Sequence, residues 1–142
     1  PKYEVVITNE DLQNVEATFS DKRDNDKVDF AMFGCPHFTL EEAQHIAEGV
    51  KGKKLAIPMY ILVSSHALQM AQRMGIADVL AEAGAEIIAD SCPDQPCWHY
   101  LKGKVGITES PKCAYYPRRR GIHFIIRDLD TCIQAALTGE VK

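Results

Sequence analysis

Short apolar runs alternate with segments of helical periodicity along this chain, and that alternation restricts its fold more than any other feature. Residues 28–33, 55–62 and 86–90 read as buried strands, followed by the shorter strands 104–108 and 122–126. Between them lie helical patterns at 39–50, behind the Ser64-Ser65 cap with Leu68, Met70, Ala71 and Met74, and at 76–83 up to Gly84. Residues 128–139 form a closing helix, with Asp128 and Asp130 suited to its first turn. Parallel strands need long crossovers, so the pattern predicts an α/β fold: a three-layer βαβ domain with a mostly parallel sheet flanked by helices. A length of 142 residues is enough for one such domain to bury a core, and residues 1–142 are read as a single unit. Ahead of it, residues 4–8 look strand-like, and Thr8-Asn9-Glu10-Asp11 caps a helix running to about Phe19. Residues 21–27 form a mixed-charge loop.

Composition excludes several classes of function. Apolar residues make up 46% and charged residues 25%, the balance of a soluble globular protein. A net charge of −4 gives no footprint for nucleic acid or for an anionic membrane. The longest apolar run, 56–63, is too short to span a bilayer and contains Pro58. No signal peptide opens the chain, and the missing initiator Met points to processing or to a piece of a longer protein. Five cysteines without an export signal argue for reduced thiols in a cytoplasm. Cys132, on the apolar side of the last helix with Ile133, Ala136 and Leu137, reads as a buried inert thiol.

In parallel sheets, ligands bind beyond the carboxyl ends of the strands. The loops at that edge are 34–37, 59–65, 91–99 and 108–120, and three of the four carry cysteine. Cys35 stands where a strand hands over to a helix, so unpaired helix N–H groups are expected to favour its thiolate. His37 beside it could orient a ligand or give a proton to a leaving group. Cys92 and Cys97 lack the second tight pair that a structural zinc site needs, and their spacing does not match a thioredoxin-type motif; ligation of an iron–sulfur centre from separate loops stays open. Ser110 near Lys112 could serve as a base, against an ordinary turn as the alternative. Arg118, Arg119 and Arg120 could hold a carboxylate or phosphate, and a solvated charge run is the competing reading. Ser-His-Asp, glycine-rich nucleotide and HExxH motifs are all missing.

Four segments, in order, resemble the aconitase X family. Gly34-Cys35-Pro36-His37-Phe38-Thr39-Leu40-Glu41-Glu42 is similar to its GCPHxSxxE segment, and Asp90-Ser91-Cys92 to its DTC segment. Residues 108–116 resemble its TNSGKxAHY segment, and residues 132–139 its closing helix. The likeness covers nearly the whole chain but only the C-terminal third of the family's catalytic subunit. It implies part of a hydro-lyase that dehydrates a small hydroxy acid, such as cis-3-hydroxy-L-proline or mevalonate 5-phosphate, with an iron centre held by three cysteines. Cys35 and Cys92 would be two ligands, with the third from the remainder of the catalytic subunit. Ser110 would be the base, Lys112 its electrostatic partner, and a small swivelling subunit or domain a further partner. Glu109, Pro111 and Tyr115 depart from the family pattern. The alternative is a non-catalytic partner or metal-binding domain derived from that family.

Overall fold

Side chains alternate across a strand with a period of two, and here both faces of each central strand are apolar, which calls for a helical layer on each side. The computed structural model describes residues 2–21 and 27–141. Five strands form the sheet: β1 (Phe30–Phe38), β2 (Met59–Val63), β3 (Ala85–Ala89), β4 (Val105–Thr108) and β5 (His123–Ile126). Their order is β3-β2-β1-β4-β5 and every neighbouring pair is parallel. The helices are α1 (Asn9–Phe19), α2 (Leu40–Val50), α3 (Ser65–Arg73), α4 (Ile76–Ala83), α5 (Pro111–Tyr115) and α6 (Leu129–Thr138). Two 3-10 turns, Pro96–Leu101 and Tyr116–Arg120, complete the connections. The α/β architecture expected from the alternation is therefore present.

Ala31, Phe33, Ile61, Val63, Ile107 and Ile125 face one layer, where they meet Ile46 and Val50 of α2, Leu80 of α4 and Ile133 of α6. Phe30, Met32, Tyr60, Leu62 and Phe124 face the other, against Trp98, Leu101, Cys113 and Ala114. Each fully buried large side chain contributes about 1.5–3 kcal/mol, so these two clusters hold the layers together. Gly106 sits where β4 passes under Phe30 and Phe124. A Cβ there would lie 2.5 Å from Phe30 Cζ and 2.9 Å from Phe124 Cε1.

Local signals set most element ends. Thr39 and Glu42 form a reciprocal capping box at α2, with N–O distances of 2.8 and 3.2 Å. Thr8 and Asp11 do the same at α1, while Ser64 and Asp128 cap α3 and α6. Gly75, at φ +74°, separates α3 from α4. Elsewhere the structure departs from expectation. β2 starts at Met59 rather than at residue 55, because Pro58 has no N–H to donate and the preceding residues pair elsewhere, Leu55 with Ala83 and Ala56 with Ala136. Residues 4–8 are not a strand; Val5 is 82% and Ile7 71% exposed, and no described strand lies beside them. The 108–120 segment is not a loop but α5 and a 3-10 turn, started by Ser110 as N-cap and Pro111 in the first turn. Residues 22–26 of the charged loop lie outside the described residues.

The chain leaves β1 toward β2 and β3 on one side, then returns to β4 and β5 on the other. That reversal opens a crevice at the carboxyl ends of β1 and β4, where such sheets bind ligands.

Candidate active site

β1 does not stop at Phe33 but continues to Phe38 with a break in register: Phe33 pairs with Ile61 and Phe38 with Val63. Gly34 to His37 therefore bulge out opposite Leu62, between these two pairs. Gly34 has φ +96°, and the Cys35–Pro36 peptide bond is cis. α2 starts at Leu40 behind its cap Thr39, as its pattern indicates, but β1 runs on through Cys35 to Phe38, so Cys35 lies within the strand and not at the strand–helix junction expected for it. Its thiol is instead pushed above the usual range, first by burial and then by repulsion from Cys92 and Glu109, with Lys112 opposing them.

Three links bring the loops of the crevice together. Ser110 Oγ donates to the carbonyl of Cys35 and accepts from Cys113 N at 3.2 Å, which ties the end of β4 to the end of β1. His37 Nε2 donates to the carbonyl of Ser91 at 2.7 Å, so the neutral ring keeps its lone pair on Nδ1. Trp98 Nε1 donates to the carbonyl of Cys92 at 2.9 Å. In the turn after β3, Asp90 adopts φ +53° and accepts from Ser65 N at 2.9 Å. Cys35 and Cys92, both partly buried, thus stand on loops joined directly through His37 and Ser91.

Glu109 lies at the same edge. Burial pushes its carboxyl up to about 7, against donation from Thr108 and a backbone contact at Gly34, both of which favour the charged form. Between its ordinary value of 4.5 and about 7, the unfolded chain has lost a proton that the folded chain keeps. This contribution to stability is therefore complete below pH 4.5 and disappears as the pH rises to about 7. Allowing for partial exposure, the difference is on the order of 1–3 kcal/mol. Urea unfolding across this range should show wild type losing stability relative to Glu109→Gln; parallel curves would refute the assignment. A cavity of about 300 Å³ opens beside Glu109 and is also lined by Leu12, Val15, Pro111, Ile126 and Arg127.

The other expected residues divide. Lys112 is exposed on α5 and favours the Cys35 thiolate electrostatically. Cys97 is exposed on the 3-10 turn, whereas Cys113 and Cys132 are buried. The arginine run does not stand open to an anion as expected. Arg118 donates to Asp21 at 2.9 Å and to the carbonyls of Thr18 and Phe19. Arg119 and Arg120 both bind the Asp94 carboxylate. The carboxylates that engage the run are distant in the chain, Asp94 by 25 residues from Arg119 and Asp21 by 97 from Arg118, which a local reading of three arginines does not reveal. Sequence alone does not mark Asp94 or Glu109 as site residues, and for Trp98 the signal is the placement of the lone tryptophan beside the cysteine loop.

Among the described residues, no three His, Cys, Asp or Glu side chains gather closely enough to hold a metal ion. The soft sulfur donors of Cys35 and Cys92, on adjoining loops, fit two positions of an iron–sulfur ligand set. No described helix is long and apolar enough to cross a membrane.

Residues 28–138 match the family model described as aconitase X third domain. The phosphomevalonate dehydratase large subunit of Thermococcus kodakarensis is 31% identical over 135 residues, covering 93% of this chain and 34% of that protein. The cis-3-hydroxy-L-proline dehydratase of Hypocrea jecorina is 29% identical over 141 residues, covering 91% and 22% respectively. The holo-form crystal structure of Thermococcus kodakaraensis aconitase X superposes with a TM-score of 0.79 at 30% identity, over 93% of this chain and 34% of that one. The chain thus spans about a third or less of the length of these relatives.

Proposed function

The chain belongs to the aconitase X family, and from that premise we propose that it supplies the third-domain part of a dehydratase site for a small hydroxy acid. The observation that carries this reading is the pairing of Cys35 and Cys92 on loops joined by His37 and Ser91 at the switch point of the sheet. These two thiolates would hold an iron–sulfur centre, with a third ligand from the rest of the large subunit. When bound, such a centre supplies Lewis acidity toward a departing hydroxyl.

This chain's own residues divide the proton transfers. Ser110 is the proposed base that takes a proton from carbon, and Lys112 stabilises the alkoxide it needs. The Ser110 hydroxyl hydrogen is engaged by the Cys35 carbonyl, so acting as a base means releasing that bond. His37 holds its Nε2 hydrogen on Ser91 and in its imidazolium form can give the Nδ1 proton to the hydroxyl leaving as water. With Arg118, Arg119 and Arg120 engaged by Asp21 and Asp94, the substrate's anionic group falls to Lys112 and to residues outside this chain.

Several relatives are large subunits, which implies a small subunit as partner here too. The test is to assemble this chain with the remainder of a large subunit and a small subunit, then assay mevalonate 5-phosphate and cis-3-hydroxy-L-proline. Dehydration of one of them by the assembly, with none by the chain alone, is expected. An assembled, iron-loaded complex inactive on both would favour the non-catalytic domain instead.

A further inference from the structure

We infer that Arg119 and Arg120, acting through Asp94, are positioning residues for Cys92. The inference rests on the proposed role of Cys92 as a ligand. Asp94 follows Cys92 by one buried proline, and its side chain is only 12% exposed. Its carboxylate accepts from Arg119 Nη2, from Arg119 Nε at 3.3 Å and from Arg120 Nε at 2.8 Å. Arg120 Nε also lies 3.0 Å from the Asp94 carbonyl. Trp98 holds the carbonyl of Cys92 itself and is buried edge-on against Tyr60, with ring centroids 5.0 Å apart. With His37 on the carbonyl of Ser91 before it and the arginines on Asp94 after it, the loop is held on both sides of its cysteine.

Both arginines belong to the 3-10 turn that continues directly from α5, and α5 is capped by Ser110. One short segment therefore grips both cysteine loops: Ser110 binds the Cys35 carbonyl at one end, and Arg119 and Arg120 bind Asp94 at the other. That geometry sets the two thiols relative to each other. Exposed ion pairs add little to global stability, and Arg119 is 69% exposed, so the value of this clamp lies in orientation. A guanidinium fork fixes a carboxylate's direction as well as its distance, which a lysine does not.

The test is the alkylation rate of each cysteine by N-ethylmaleimide in the reduced, metal-free chain, mapped by mass spectrometry. Asp94→Asn and the double variant Arg119→Gln, Arg120→Gln break the same clamp but shift the local charge in opposite senses. Both should accelerate Cys92 about threefold or more, as a restrained loop gains open states. Cys35 and Cys97 should keep their rates, and buried Cys113 and Cys132 should stay unreactive as reporters of an intact fold. Opposite changes in the two variants would reduce the effect to local field, and no change at Cys92 would refute the clamp. Equal acceleration at every cysteine would assign the arginines to general stability and overturn the inference. The readout needs neither iron nor turnover, so its failure is separable from failure of the dehydratase reading.

Discussion

Gly34→Ala is expected to destabilise the chain by about 3–5 kcal/mol, enough to unfold a domain of ordinary stability. A Cβ at this position would lie 2.0 Å from the Leu62 carbonyl oxygen and 2.8 Å from its carbon. Neither atom can yield, because β2 is held between β1 and β3 and Leu62 is in register with Ile88. The backbone conformation adds to this, since φ +96° costs an L side chain about 1–2 kcal/mol. Gly52 provides the control, with φ +71° but nothing within 4 Å of its added Cβ. Gly52→Ala should lose only the conformational part, about 1 kcal/mol. Urea unfolding of the two variants separates the contributions. If Gly34→Ala costs no more than Gly52→Ala, the close approach over Leu62 does not constrain the fold.

The second large effect concerns activity rather than stability. Cys35→Ala and Cys92→Ala should each abolish dehydration by the assembled enzyme while leaving the melting temperature of this chain nearly unchanged. Both thiols are partly exposed at the crevice, and neither packs in the centre of a core cluster. Cys132 is the contrast: it is fully buried among the residues of α6 and the sheet, where burial pushes its thiol far above the usual range. Cys132→Ala should lower stability and leave turnover per folded molecule intact. Melting curves and turnover measured on the same preparations distinguish the two patterns. Retained activity in Cys35→Ala would remove that thiol from the site.

The strand-helix alternation was legible because period-two and helical patterns follow directly from burial, and capping residues such as Thr39, Ser64 and Asp128 mark their own helices. The gathering of Cys35, Cys92 and Ser110 at one sheet edge was equally legible, since strand direction places their loops together. What failed were inferences that needed a distant partner. β1 resumes its pairing with β2 at Phe38, beyond the bulge at Gly34, so a strand read to end at Phe33 puts the strand–helix junction too close to Cys35, although the helix start itself is legible. The arginine run reads as an anion site until Asp94 and Asp21 fold against it. Residues 4–8 have strand-like composition, yet a strand also requires a neighbour with which to pair. Glu109 reads as an ordinary acid in sequence and acquires its raised carboxyl only through burial.

Anaerobic reconstitution with iron and sulfide, followed by visible absorption and electron paramagnetic resonance, tests the shared-site proposal most directly. The chain alone should hold no stable cluster. The same chain assembled with the remainder of a large subunit should develop cluster absorption that is lost on Cys35→Ala or Cys92→Ala. A stable cluster on the isolated wild-type chain, or one that survives Cys35→Ala in the assembly, would contradict a centre held jointly by these two cysteines and a ligand from elsewhere.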